Sequence, residues 1–234
     1  SSVLLVALGI VYLVDPYELY RRSNFAYFAE TNNWHWTPAI IRHEPYDVIV
    51  LGSSMVENIP IEQISNKTKV KWTKLPMTGS RVKEQAAAAR LVAKTGKTKQ
   101  MIWGLDYFSL QTELDDVLKT TGPFPYYLYD TTIINDLPYL LNGHILLLSL
   151  KRLMTNPTPS RNFYPLKKQS KGTIDDIDQD HVRASIVVEP SSECELEKMF
   201  ARFKKHVEPV LRENPQIKFS LFLPPYSFLY YRLR

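Results

Sequence analysis

The chain has 234 residues, 44% of them hydrophobic and 23% charged, which is ordinary for one globular domain that buries its own core. The single cysteine, Cys194, excludes an intramolecular disulfide and a cysteine-rich zinc site. Much of the net charge of +5 lies in two lysine-rich runs, 67–74 and 94–99. These runs are interpreted as solvated loops, with an anionic surface as the alternative. No nucleic-acid-binding signature accompanies them, so no nucleic-acid partner is expected.

The N-terminal segment, residues 1–20, contains the uncharged apolar run Val3–Val14. A helix of this length covers about 18 Å, which is short of the roughly 30 Å hydrocarbon core of a bilayer. We predict the end of a transmembrane or signal-anchor helix, closed by Asp15-Pro16, with a buried core helix or a strand as the alternative. Three tyrosines are expected at the membrane interface: Tyr12, Tyr17 and Tyr20.

The next segment, residues 21–45, is aromatic and shows no periodicity, so it is predicted to be a linker. From residue 46 onward the pattern is regular. Short apolar or β-branched runs predict four strands, at Asp47–Leu51, Val70–Leu75, Gln100–Leu105 and Lys218–Leu223. Composition and 3–4 spacing predict helices at Val82–Lys94, Leu137–Leu153 and Glu195–Arg212. Residues 154–192 are polar and irregular and are predicted to be an insertion within a domain that covers 46–234.

The alternation of strands and helices predicts an α/β fold with a mostly parallel sheet. In such sheets the ligand lies beyond the carboxyl ends of the strands. Small and hydroxyl-bearing residues follow each predicted strand. The four strands lead into Gly52-Ser53-Ser54, Met77-Thr78-Gly79-Ser80, Gly104-Leu105-Asp106-Tyr107 and Pro224-Pro225-Tyr226-Ser227.

The sharpest of these segments is Gly52-Ser53-Ser54. Glycine lets the backbone turn tightly as it leaves the strand, and a serine just beyond it presents its hydroxyl at the rim. The segment lacks the second glycine of the α/β-hydrolase elbow and the lysine of a P-loop. On the residues alone, one of the two serines caps the next helix.

The segment YDVIVLGSSMVEN, residues 46–58, resembles the first conserved block of the SGNH hydrolases. Gly79 and Gly104-Leu105-Asp106 are similar to the second and third blocks, in the same order. The wider pattern resembles membrane-anchored bacterial members of this superfamily. Their distant cousins include envelope proteins that acetylate alginate or D-alanylate teichoic acids. The resemblance implies a flavodoxin-like three-layer sandwich on the outer side of the bacterial cytoplasmic membrane, held by a single-pass anchor.

The resemblance also implies a Ser-dependent esterase or acyltransferase that acts on an envelope glycan or an acyl carrier, with a membrane acyltransferase as an expected partner. Ser54 matches the nucleophile, and the Gly79 N–H matches an oxyanion donor. Asp106 stands at the position of the third block's asparagine. Further residues expected to line the substrate site are Ser53, Ser80, Arg81, Tyr107, Tyr226 and Ser227. The alternative is a catalytically inactive binding or scaffolding subunit of a membrane complex.

Two departures from the family pattern favour that alternative. Asp106 replaces an asparagine, and a carboxylate cannot donate a hydrogen bond to an oxyanion. The family's last block, Asp-x-x-His, supplies the base that a serine nucleophile requires. Here that spacing occurs only at Asp178–His181, before the fourth strand rather than after it, so the base is expected beyond Arg234. No metal ligand set and no cofactor are expected, and the acidic run 175–180 lacks the features of a calcium loop.

Overall fold

The computed structural model describes residues 2–22, 33–111, 123–154 and 193–224. Its centre is a four-stranded, wholly parallel sheet with the spatial order β2-β1-β3-β4. The strands are β1 (Val48–Gly52), β2 (Trp72–Pro76), β3 (Gln100–Gly104) and β4 (Lys218–Phe222). All four strands predicted from the sequence are therefore confirmed, with shifts of one or two residues at their ends.

The sheet is covered on both faces. All five residues of β1 are buried, as a continuous β-branched run predicts for a strand covered on both sides. Ile49 and Leu51 belong to the large core, whereas Val50 packs with Val56 and Ile61 in a smaller cluster. The fold is thus α/β and compatible with a three-layer sandwich.

Two of the covering helices lie on opposite faces. Helix α4 (Val82–Thr95) packs against β1 and contributes most of its alanines to the large core. It ends at Gly96, whose φ of +64° gives the left-handed conformation that commonly closes a helix. Helix α3 (Ile61–Thr68) packs against β2, and its Ile61 lies in the smaller cluster. The prediction of α4 and of its glycine cap is confirmed.

The predicted linker contributes to the core. Trp34, Trp36 and Ile41 are almost completely buried, and helix α2 (Thr37–His43) packs against α4. Lys97 donates to the carbonyl oxygens of Ile41, Arg42 and Glu44 and so satisfies the end of α2. The linker expectation was wrong for residues 33–43, because a helix of seven residues has too few turns to show periodicity in the sequence.

The N-terminal helix α1 (Ser2–Val14) ends where Asp15-Pro16 was expected to end it. The Asp15 carboxylate accepts backbone N–H groups of Leu19 (3.0 Å) and Tyr20 (2.7 Å) and so closes the turn that follows the helix. Arg152, which is 1% exposed, donates to the Pro16 carbonyl at 2.8 Å. A buried polar cluster therefore joins the end of α1 to the helix that carries Arg152.

The three tyrosines near α1 differ in exposure. Tyr12 is exposed and Tyr20 is half-buried, but Tyr17 is 5% exposed and stacks on His35. The expectation that Tyr17 lies at a membrane interface is therefore wrong, because its ring packs inside the protein. Within the described residues, no single helix is both long and apolar enough to cross a bilayer. The bent pair Ile133–Leu140 and Gly143–Met154, which meet at 80°, satisfies length and composition together.

Two predicted continuous helices are interrupted. The expected helix at 137–153 is divided into α6 (Leu137–Leu140) and α7 (Gly143–Met154), since Gly143 begins a new helix. The expected helix at 195–212 consists of α8 (Glu193–Arg202), a π-helical turn (Phe203–Val207) and α9 (Glu208–Glu213). Pro209 has no N–H for a regular helical bond, which accounts for the wider turn before it. The predicted insertion at 154–192 lies outside the described residues, except for Met154, which ends α7.

Candidate functional site

The candidate site lies where the strand order reverses. In the sheet, β1 lies between β2 and β3. The chain passes from β1 to β2 on one side of it and then crosses back to β3 on the other side. In open parallel sheets of this kind, ligands bind beyond the carboxyl ends of the strands at this reversal point. The segments that leave β1 and β3 here are Ser53–Ser54 and Leu105–Asp106, so the sheet brings together the two motifs identified in the sequence.

Glycines allow these two strands to approach each other closely. A methyl group added to Gly52 would lie 2.6 Å from Val56 Cγ1 and 3.2 Å from the Gly104 carbonyl oxygen. One added to Gly104 would lie 3.0 Å from the Phe222 ring. Any larger residue at Gly52 must therefore displace the Val56 side chain, which belongs to the short 3₁₀ helix at Ser54–Val56 just beyond β1.

The two adjacent serines have different environments. Ser53 is 4% exposed, and its hydroxyl donates to Asp106 Oδ2 at 2.5 Å while accepting the Met55 N–H at 3.3 Å. Ser53 is thus the serine that caps the 3₁₀ helix. Ser54 is half-buried, and within the described residues its hydroxyl has no hydrogen-bond partner. Ser54 is the serine whose hydroxyl is available at the rim.

Asp106 is held by hydrogen bonds from two directions. It is 2% exposed, and besides the Ser53 hydroxyl it accepts the Ser109 N–H at Oδ1, 2.8 Å away. Its side chain therefore caps helix α5 (Tyr107–Gln111) and ties the loop after β3 to the loop after β1. Both of its carboxylate oxygens thus accept hydrogen bonds from within the protein, and one of these bonds holds the Ser53 hydroxyl.

Gly79 lies in the loop after β2, where the Ser80 N–H donates to the Met77 carbonyl at 3.0 Å and closes a tight turn. The φ of Gly79 is +72°, a conformation that side-chain-bearing residues rarely adopt. This turn is fixed from outside the sheet, because Trp34 Nε1 donates to the Thr78 carbonyl at 3.0 Å. Asn33 also donates to Thr78, at Oγ1. No sequence pattern indicated these two contacts, since both donors lie in the predicted linker.

Arg81 brings a buried positive charge to the same edge. It is 2% exposed, its guanidinium lies 3.2 Å from the centroid of the Phe108 ring, and it donates to the Phe108 carbonyl. Among the residues that the structure describes, its Nε has no hydrogen-bond partner. Burial lowers the pKa of the Arg81 guanidinium, while the nearby carboxylates of Asp106 and Glu84 raise it. Arg81 therefore stabilises the carboxylates of the site from inside the protein.

The remaining residues predicted to line a substrate site differ in position. Ser80 is completely buried and accepts a hydrogen bond from Gln85, so its side chain serves the core. Tyr107 is half-buried, and its hydroxyl donates to Glu195 of α8. Tyr226 and Ser227 lie outside the described residues. The structure thus brings Ser53, Ser54 and Asp106 together, with Gly79 and Arg81 on the adjoining loop.

Glu84 is a polar residue at this edge that the sequence analysis missed. It is completely buried, accepts the Arg81 N–H at 3.0 Å and accepts the hydroxyl of Tyr126. Burial raises the pKa of the Glu84 carboxyl, an effect that outweighs the lowering by Tyr126 and the backbone N–H groups. A glutamate at the third position of a helix is a capping-box signal, but here it was concealed because the N-cap residue is an arginine rather than serine or threonine.

The described histidines occupy other parts of the fold. His35 stacks on Tyr17, and His43 Nε2 lies 3.2 Å from the Leu19 carbonyl oxygen. His144 is exposed on α7, and His206 lies on the π-helical turn beside α4. Asp178–His181 falls outside the described residues. Among the residues that the structure describes, no group of three or more acidic, histidine or cysteine side chains is placed to hold a metal ion.

Comparisons with known proteins add no assignment to this geometry. No family model, curated protein or solved structure matches the chain.

Proposed function

We propose that the protein is a membrane-anchored, Ser-dependent esterase or acyltransferase of the SGNH type, acting on an envelope glycan or an acyl carrier. The observation that carries the proposal is the position of Ser54. Ser54 is half-buried and is the first residue of the 3₁₀ helix beyond β1, at the point where the strand order reverses. The order β2-β1-β3-β4 supports the finer description of the fold as a flavodoxin-like sandwich.

The chemistry assigned to Ser54 is acyl transfer through a covalent intermediate. Its oxygen attacks the carbonyl carbon of the ester, its proton passes to a general base, and the alcohol leaves with a proton. Water or an acceptor hydroxyl then attacks the acyl-enzyme and restores Ser54. Serine needs an adjacent base for this step. The Asp-x-x-His spacing that supplies this base in the family occurs in the sequence only at Asp178–His181, which precedes β4 instead of following it.

The proposed roles of the neighbouring groups follow from their hydrogen bonds. The backbone N–H groups of Ser54 and Gly79 are proposed to stabilise the oxyanion. Asp106 acts indirectly, since it holds Ser53 and thereby fixes the backbone that presents Ser54. The substitution of asparagine by aspartate at this position therefore removes one oxyanion donor and adds a buried link between two loops.

A second candidate function is a catalytically inactive binding subunit of a membrane complex. It is favoured by the same observation on Asp106, because both of its carboxylate oxygens accept hydrogen bonds from within the protein. Removing one oxyanion donor typically costs about 10²–10³-fold in rate. Under this function, the edge that carries Ser54 binds a ligand and does not react with it.

Ester hydrolysis by the purified full chain distinguishes the two functions. We expect release of acetate from acetylated glycan oligosaccharides and from p-nitrophenyl acetate, with loss of that release in Ser54→Ala. Ser53→Ala is the matched control: it removes the neighbouring hydroxyl, lowers stability and leaves the nucleophile in place. Equal acetate release by wild type and Ser54→Ala would contradict the proposal. Binding of the oligosaccharide without any release would favour the binding subunit.

A further inference from the structure

Helix α7 is apolar on two opposite sides. At 100° per residue, its buried side chains form one stripe, which faces the protein: Ile145, Leu148, Ser149 and Arg152. Leu147, Leu150 and Met154 form a second stripe on the opposite side, with exposures of 49%, 40% and 87%. A helix on the surface of a water-soluble domain normally carries polar residues there. The outer stripe of α7 therefore fits an apolar environment.

The segment that precedes α7 extends this apolar surface. Within residues 133–141 the only charged residue is Asp136, and it is 2% exposed. The apolar side chains around it are turned outward instead: Ile133, Ile134, Leu137 and Leu141 are all at least 49% exposed. The chain thus buries the charge and exposes the hydrocarbon, the reverse of the usual arrangement at a surface facing water.

The same surface continues onto α1, which packs against α6 and α7. From Val3 to Val14 this helix has no charged residue, and Val3–Val6 are exposed by 54% or more. We call the exposed apolar side chains of α1, residues 133–141 and α7 the apolar seat. Scattered apolar residues are normal on a protein surface, but three adjoining elements of this kind mark an interaction site.

Tyrosine and arginine lie at the border of the apolar seat. The Arg21 guanidinium lies 4.5 Å from the centroid of the Tyr12 ring. A cleft of about 670 Å³ opens beside them, lined by Tyr12, Arg21 and Ile133 among others. Tyr20 and Asp136 also line this cleft, and their side chains interact with each other. Tyrosine and cationic side chains of this kind are typical of the headgroup region, where they contact anionic lipids.

We propose that the apolar seat is embedded in the lipid bilayer, so that residues 133–154 form a second membrane contact beside α1. The occupant is lipid rather than a second copy of the chain, because the surface continues onto a helix that is apolar on all sides and ends at a tyrosine–arginine border. The inference rests on the proposed membrane anchor and is independent of the chemistry at Ser54. It implies that the domain is held against the membrane at a fixed inclination rather than swinging freely on α1.

Site-specific fluorescence of the full chain in vesicles containing anionic lipid tests this inference. In a Cys194→Ala background, an environment-sensitive NBD probe is attached at Leu150→Cys on the apolar seat. Asn66→Cys, exposed on α3, is the matched control, and Leu5→Cys reports on α1. Dithionite added outside the vesicles reduces probes that face water, and spin-labelled lipids quench probes that touch acyl chains.

We expect the probe at 150 to resist dithionite and to be quenched by the spin-labelled lipids, while the probe at 66 is fully reduced and is not quenched. Reduction at 150 as complete as at 66 would overturn the inference. Resistance to dithionite without lipid quenching would also overturn it, since a protein surface would then cover the site. If the probe at 5 is protected and the probe at 150 is reduced, the anchor stands and only the second contact fails.

Discussion

At the residue scale, the molecule assigns different work to two adjacent serines. Ser53 is buried, and its hydroxyl donates to Asp106 and accepts the Met55 N–H, whereas the Ser54 hydroxyl stays available. A family resemblance indicated Ser54 as the nucleophile, but the sequence left open which of the two serines caps the next helix. The structure resolves this point, because only the neighbouring strand could show that Asp106 lies within hydrogen-bond distance of Ser53.

Replacing Asp106 tests its positioning role. In Asp106→Ala the buried Ser53 hydroxyl and the Ser109 N–H lose their partners, so we expect a loss of about 1–3 kcal/mol in the free energy of unfolding. Asp106→Asn keeps an acceptor for the Ser109 N–H and an amide beside Ser53, so its loss is expected to be below about 1 kcal/mol. Urea unfolding measures both variants. Equal stability of Asp106→Ala and wild type would show that the Ser53–Asp106 contact is not structural.

A second residue-scale prediction concerns Gly52. Gly52→Ala places a methyl group 2.6 Å from Val56 Cγ1, so we expect a destabilisation of roughly 1–3 kcal/mol from overpacking. The double variant Gly52→Ala/Val56→Ala relieves that contact but not the approach to the Gly104 carbonyl, so it is expected to be more stable than the sum of the single changes predicts. Additive losses in urea unfolding would contradict this steric coupling.

At the element scale, local signals predicted the helices and strands well but did not predict their interruptions. Alanine content and Gly96 predicted α4, and a β-branched run predicted β1. The breaks near Gly143 and Pro209 depend on how the chain packs on each side, so a periodic apolar pattern alone suggested continuous helices. The start of α4 at Val82 was predicted, but its capping box was not, since that box joins Glu84 to an arginine.

The pH dependence of stability tests the start of α4. Burial raises the pKa of the Glu84 carboxyl above its ordinary value of 4.5, so the folded state binds this proton more tightly than the unfolded chain. Stability from this group is therefore complete below about pH 4 and is lost as pH rises through the folded pKa. Glu84→Gln does not titrate. We expect it to gain stability relative to wild type as pH rises from about 4 to about 8.

The measurement is urea unfolding of wild type and Glu84→Gln at both ends of that pH range. Glu213→Gln, at an exposed partner of Arg90, controls for removal of a carboxylate at the surface. A stability difference between wild type and Glu84→Gln that stays constant, or that changes in the opposite direction, would show that Glu84 is not held in a desolvated site.

At the scale of the whole molecule, the alternation of strands and helices was sufficient to predict a parallel α/β sheet, and the order of its strands brings the two sequence motifs to one edge. What the sequence could not show was the contribution of distant segments. Asn33 and Trp34 hold the turn at Gly79 by hydrogen bonds to Thr78. Arg152 donates to the Pro16 carbonyl in the turn that follows α1. Such contacts join residues far apart in the chain and leave no local pattern, so a segment that stabilises the site resembled a linker.

The central claim is that Ser54 is a nucleophile at the reversal of strand order. Reaction of the folded full chain with a fluorophosphonate, followed by mass spectrometry of the peptide that contains residues 53 and 54, tests it most directly. We predict a phosphonyl adduct on Ser54 that is absent from Ser54→Ala and present in Ser53→Ala. Folded wild-type protein that forms no adduct, or an adduct that persists in Ser54→Ala, would contradict the account.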